Sequence, residues 1–315
     1  IIYLICNVNF RFSSMANIIE IIRKQAIEDM FSRESIIGAW EIWHPHIMRF
    51  LIGHVDASTI LGIGDHLSEI FRTTGTEGRA QGDLAGGGAA WESLVLWYIN
   101  VCCAGSRVVA IKKKSHVPMP IRDAVSVNYG NLSCNTESDI TVLVFPDKDI
   151  YTLDNPDFLR RGRVNYEALS YSVAADFNEF EVGVIQCKTN WNDNAQIPML
   201  WDMVYSAGGF RDNRITVGRN NFHLDNLQKF TYSFVTVPTS RMDRVTSSSI
   251  CVRRVQNLSG GNYWGQVTNN GIADSIKEIF RCYISGFGEN GIRSKITTIL
   301  PEYSQEGLYH YFNLY

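Results

Sequence analysis

The chain has no C-x-x-C pair, although seven of its 315 residues are cysteine. Cys6, Cys102, Cys103, Cys134, Cys187, Cys251 and Cys282 form an odd, unpatterned set, which argues against a disulfide framework and predicts reduced thiols in a cytoplasm. The histidines lack ligand spacing too. His44 and His46 flank Pro45, which reads as a loop or a helix start, so structural zinc is not expected. No window reaches ~18 apolar residues, so no membrane span is expected. The opening IIYLICNVNFRFSSM lacks an initial Met, and its apolar part is too short to cross a bilayer. It also lacks a signal-peptide cleavage site; Met15 reads as the more natural start, with residues 1–14 peripheral.

An excess of one charge is missing as well. Lys and Arg number 29 against 32 Asp and Glu, a net charge of -3, so a nucleic-acid site has to be a local basic surface. Nucleotide-binding loops are absent: LAGGG at 84–88 lacks the G-K-[ST] of a phosphate loop, and GIGDHL at 62–67 is only a fragment of a dinucleotide fingerprint. Cys187 has no histidine partner suggested by sequence, which argues against a cysteine nucleophile.

What remains is a globular composition, 45% apolar and 19% charged, with two kinds of periodicity. Residues 16–75 read as helices: Ile18, Ile19, Ile22 and Ala26 recur at helical spacing, and GDHLSEIFRTT forms a second run at 64–74. GTEGRAQGDLAGGGAA reads as a glycine-rich loop, and WESLVLWYINVCC at 91–103 as a buried helix. From Ser106 the period changes. Strands are expected at SRVVAIKKK, at SDITVLVF (138–145), at FEVGVIQCKT (180–189), at FTYSFVTVPT (230–239) and at SICVRRVQNL (249–258). Helices are expected at about 193–206 and over GIADSIKEIFRCYI, 271–284. The pattern predicts an α/β fold with one mixed sheet.

The chemistry sits in EVGVIQCKTNW. Strand alternation places Gln186 and Lys188 on one face, about 6.5–7 Å apart, with Cys187 on the other. Asp139 stands at the head of the preceding apolar strand. If the two strands pair antiparallel, Asp139, Gln186 and Lys188 converge at one edge of the sheet. A carboxylate, an amide oxygen and the Cys187 carbonyl suit Mg²⁺, which takes oxygen ligands and keeps several waters. A lysine beside them can stabilise charge on a phosphate. Asp147, in the dipeptide Pro146-Asp147, lies past the strand in a polar turn, so Asp139 is preferred on position.

These pieces, SDITVLVF with Asp139, IQCK with Gln186 and Lys188, and WESLVLWY with Glu92, resemble the PD-(D/E)xK nucleases, and among them the type II restriction endonucleases. The resemblance covers roughly residues 85–260. It implies a restriction-endonuclease-like mixed β-sheet flanked by helices, with magnesium held by Asp139, Gln186, the Cys187 carbonyl and Glu92. It also implies a double-stranded DNA substrate and a separate cognate DNA methyltransferase. Gln186 stands where Asp or Glu is usual. Three outcomes stay open there: a tolerated substitution, an acid recruited from elsewhere such as Glu92, or a catalytically inactive fold.

Sequence-specific reading of DNA needs Arg, Asn or Gln for bidentate contacts in the major groove. Candidates are Asn190, Asn192 and Asn194 in TNWNDNAQ, Arg211, Arg214 and Arg219 in GGFRDNRITVGRNN, and Arg241 and Arg244 in TSRMDRVTSSS. The lysine run 112–114, centred on Lys113, is a candidate phosphate clamp. A palindromic site cut on both strands calls for a homodimer. The expected organisation is an N-terminal helical annex (1–75), a catalytic core (76–260) and a C-terminal helical region (261–315). A structure-specific repair or recombination nuclease and an inactive DNA-binding protein of the same fold are the competing readings.

Overall fold

The computed structural model describes residues 17–51, 56–76, 87–130, 132–134, 138–189, 215–237, 246–258, 261–265, 272–284 and 311–314. Residues 1–14, the expected helix at 193–206 and residues 77–86 of the glycine-rich stretch lie outside these.

The first helix, α1 (Ile18–Phe31), starts at Asn17, whose side chain accepts the Glu20 N–H at 3.1 Å. In α2 (Glu34–Phe50), Pro45 lies in the helix interior, so His44 and His46 are helical and not in a loop or at a helix start. The helix runs through the proline because Trp40, Trp43 and Ile47 bury one stripe on both sides of it. After α3 (Ala57–Gly62), with its Asp56–Thr59 capping box, comes α4 (Leu67–Thr76). The fifth helix, α5 (Gly87–Cys102), includes the last glycines and alanines of the stretch expected to be a loop. From Ala90 to Cys102 every residue of α5 is buried except Glu92. That exception places the acid where this otherwise buried run meets the outside.

The strand β1 (Val108–Ile111) forms one edge of the main sheet, and the side-chain amide of Asn100 closes its outer rim. Asn100 donates to the Ala110 carbonyl at 2.9 Å and accepts the Ala110 N–H at 3.0 Å, so the edge offers fewer free groups to another chain. Then follow α6 (Met119–Ala124), β2 (Val127–Tyr129), β3 (Leu132–Cys134) and β4 (Ile140–Val144). Between β4 and β7 (Glu181–Lys188) the chain inserts α7 (Asp149–Thr152), a hairpin of β5 (Leu159–Arg160) and β6 (Arg163–Val164), and α8 (Tyr166–Ala175). The last strands are β8 (Ile215–Val217), β9 (Lys229–Thr236), β10 (Gly261–Trp264) and β11 (Asp274–Ser275).

Among the described residues the main sheet has the order β1-β4-β7-β9-β10-β11. β1, β4 and β7 pair antiparallel, and β7, β9, β10 and β11 pair parallel, which makes the sheet mixed as expected. Its two faces carry separate cores. Ile140, Val142, Ile185, Cys187 and Val235 pack with α2 to α5 and with Ile276, Phe280 and Phe312. Leu143, Val182, Val184, Tyr232 and Phe234 pack with the start of α1, with α6 and α8, and with Val252 and Val255. Strand alternation assigns each residue to its side.

Two expected elements differ. SICVRRVQNL is a helix, Ile250–Leu258, not a strand: Val252 and Val255 are buried while Arg253 is exposed, a spacing of three. GIADSIKEIFRCYI is not one amphipathic helix. Asp274–Ser275 pairs with β10 as β11, and only a 3-10 turn (Ile276–Glu278) and one α-turn (Ile279–Cys282) follow. Cys102, Cys103 and Cys187 are buried free thiols and Cys282 an exposed one. No helix among the described residues is long and apolar enough to cross a membrane.

Candidate active site

The antiparallel register of β4 and β7 matches Ile140 with Ile185, and its continuation sets Asp139 opposite Gln186. Asp139 precedes the first residue of β4, where the backbone ladder stops. Its Oδ2 accepts the Cys187 N–H at 2.8 Å and so stands in for the next rung. Its second oxygen has no hydrogen-bond partner among the described residues. Asp147 lies at the opposite end of β4, exposed, as its position beyond the strand suggests.

Glu92 reaches this edge from α5. Its carboxylate lies 2.7 Å from Lys112 Nζ, with both side chains largely shielded. Lys112 also donates to the Ala89 carbonyl at 2.9 Å and to Ser93 Oγ at 3.3 Å. The first lysine of the basic run therefore turns back onto the start of α5. Register explains the approach: Ile111 pairs with Thr141, so β1 ends beside the head of β4. Lys188, at the end of β7, is half-buried and makes no ion pair among the described residues.

Burial pushes the Asp139 carboxyl up to about 6. The Cys187 N–H works against that rise, the Glu92 charge adds to it, and Lys188 and Lys112 each lower it. All four of these groups therefore act on the Asp139 carboxyl. Burial first, and then the negative charges of Asp139 and Glu92, push the Cys187 thiol well above its ordinary value, which keeps it neutral.

Gln186 is placed differently. It is 0% exposed, and its Oε1 accepts from the Tyr232 hydroxyl on the neighbouring strand. Its Nε2 has no partner among the described residues. Val182, Val184 and Tyr232 share its side of the sheet, whereas Glu92 comes from α5, which packs on the Ile185 and Cys187 side. Glu92 and Lys112 form an ion pair on the Cys187 side, Lys188 is near enough for its charge to act on Asp139, and the Gln186 amide points into the opposite core.

The oxygen set suits a hard cation. Mg²⁺ sites are commonly built from one or two carboxylates and completed by water and substrate phosphate. The Glu92 charge raises the cost of the Asp139 charge, a cost that a bound cation would offset. No cluster of three or more His, Cys, Asp or Glu suited to a metal occurs among the described residues. Among the described residues, the oxygens here that could hold a cation are these two carboxylates and the backbone carbonyl of Cys187.

Of the expected DNA contacts, Asn190, Asn192, Asn194, Arg211, Arg214, Arg241 and Arg244 lie outside the described residues. Arg219 makes an ion pair with buried Asp123, Nε to Oδ1 at 2.6 Å, and Asn220 donates to the other carboxylate oxygen at 2.9 Å. Lys113 lies 3.3 Å from Asp29 of α1 and is half-exposed. The sequence alone groups Lys112 with its neighbours as a phosphate clamp; the apolar strand ahead of it is the signal that the first lysine of the run ends beside Asp139. Tyr232 carries no such signal, because only the parallel pairing of β7 and β9 brings it to Gln186.

No protein-family model matches the chain, and no curated protein matches it significantly.

Proposed function

We propose that the protein is a Mg²⁺-dependent endonuclease that hydrolyses phosphodiester bonds in double-stranded DNA at specific sequences, on a fold of the restriction-endonuclease type. One observation carries the reading: the Asp139 carboxylate, at the head of one strand, holds the Cys187 N–H at the end of the next, within reach of the charges of Lys188 and of the Glu92–Lys112 ion pair. A buried helix followed by three antiparallel strands and a parallel one supports the same fold.

In this proposal Asp139, Glu92 and the Cys187 carbonyl hold the cation, which when bound polarises the scissile phosphate and acidifies a water. Asp139 would bind it as the carboxylate, so Mg²⁺ affinity should strengthen as pH rises through about 6. Lys112 neutralises Glu92 and fixes its rotamer. Lys188 places its ammonium against the phosphate as charge builds there. Gln186 joins the ligand set only if its oxygen releases the Tyr232 hydroxyl. A palindromic target makes a homodimer the expected assembly, and the free thiols suit a reducing cytoplasm.

The tie between Gln186 and Tyr232 favours one second reading, an inactive DNA-binding protein of the same fold. Nicking of supercoiled plasmid separates the two. Wild type should cut in Mg²⁺ and not in EDTA, and Lys188→Ala should cut about 10²–10³ times more slowly. DNA binding without Mg²⁺-dependent cutting selects the second reading.

A further inference from the structure

The hairpin formed by β5 and β6 has the sequence Arg160-Arg161-Gly162-Arg163 at its tip, and all three arginines are exposed. Among the described residues, no carboxylate pairs with any of their guanidinium groups. The turn uses two left-handed residues, Arg161 at φ 53° and Gly162 at φ 75°. Such turns favour Asn, Asp or Gly at both places, because Cβ crowds the backbone there, a strain that Gly avoids and that Asn and Asp offset with local hydrogen bonds. Arg160 and Arg163 also face each other directly across the two strands, and like charges so placed repel. One short turn therefore carries two local costs, and nothing within the described chain offsets them. Departures of this kind concentrate where a residue serves binding.

An anion between the two forks reverses the sign of the interaction. Guanidinium groups match phosphate oxygens in a bidentate fashion, and two facing forks form a clamp for one or two phosphates. The anchoring of the hairpin indicates which phosphates. Asn165, directly after β6, caps α8, and the ring of Tyr166 stacks on His116 at 5.0 Å with a 6° angle between the planes. The Tyr166 hydroxyl donates to Gln25 of α1 at 2.8 Å. His116 closes the short turn into which the lysine run 112–114 leads, and that run leaves β1 at the Asp139 end of the sheet.

We propose that this hairpin grips the backbone phosphates of duplex DNA flanking the cleavage site, a role that rests on the nuclease reading above. Its contacts are to phosphate and not to bases, so they add affinity without sequence preference.

The test is the salt dependence of binding to a short labelled duplex, measured in EDTA with the full chain. For Arg160→Gln/Arg163→Gln the slope of log affinity against log salt should become shallower by about 2, at about 0.9 for each phosphate no longer neutralised, equally on two unrelated duplex sequences. Arg160→Lys/Arg163→Lys should restore most of the slope. Arg161→Asn, which suits the turn, should melt no lower than wild type and lose about 1 from the slope. An unchanged slope in the Gln variant, with wild type binding duplex, overturns the hairpin's role; Mg²⁺-dependent cutting by the same preparations would leave the nuclease reading standing. A wild-type chain that binds no duplex at low salt overturns both.

Discussion

Asp139 is the residue on which the account turns, and its protonation can be read without any substrate. Folding raises its carboxyl from an ordinary 3.8 to about 6, so the folded state holds the proton more tightly than the unfolded one. The sign follows: stability declines as pH rises from about 4 to about 6 and stays lower above that. Asp139→Asn keeps an oxygen for the Cys187 N–H and removes the charge. At pH 7.5 without divalent ions the variant should be more stable by about 1–2 kcal/mol, allowing for partial exposure of the site. At pH 3.5 the difference should vanish. Mg²⁺ should raise the melting temperature of wild type and not of the variant. Thermal melts at the two pH values, with and without Mg²⁺, check all three outcomes. Asp139 and Lys188 are legible in the sequence because strand position alone brings them to one edge. The state of Gln186 is not, since its partner Tyr232 is 46 residues further on and reaches it only through a parallel crossover.

At the scale of elements, one buried arginine joins the first helix to the sheet. Arg23 is 0% exposed; it donates to the Val108 carbonyl at 2.7 Å and to the Ser106 carbonyl at 3.1 Å, and its Nε and Nη2 donate to Glu20. Glu20 in turn accepts the Gly105 N–H at 2.8 Å. The turn between α5 and β1 is thereby held, and with it the strand that delivers Lys112 to Glu92. Arg23→Met removes one partner of a buried pair and should destabilise the fold by about 3–5 kcal/mol, measured by urea unfolding. Lys24→Met, on the outer side of the same helix, should change stability by less than about 0.5 kcal/mol. Helical spacing in α1 and strand alternation in β4, β7 and β9 make these elements readable from sequence. The helix Ile250–Leu258 is not, because its paired arginines between valines fit a strand nearly as well. The short elements inserted between β4 and β7 have too few residues to show a period.

For the whole molecule, the mixed sheet separates two cores, and the candidate site lies at its edge where three strands end and α5 contributes Glu92, the one unburied residue between Ala90 and Cys102. A net charge of -3 leaves the overall field nearly neutral, so the proposed attraction to DNA rests on local groups: Lys188 at the sheet edge and the arginines of the β5–β6 hairpin. Phage DNA digestion tests the central claim most directly: wild type, Asp139→Asn and Lys188→Ala are compared in Mg²⁺ and in EDTA, and product ends are sequenced. The account predicts discrete fragments with a shared end sequence for wild type in Mg²⁺, and none for either variant or in EDTA. Fragments that persist in EDTA, or that both variants still produce at the wild-type rate, would contradict it.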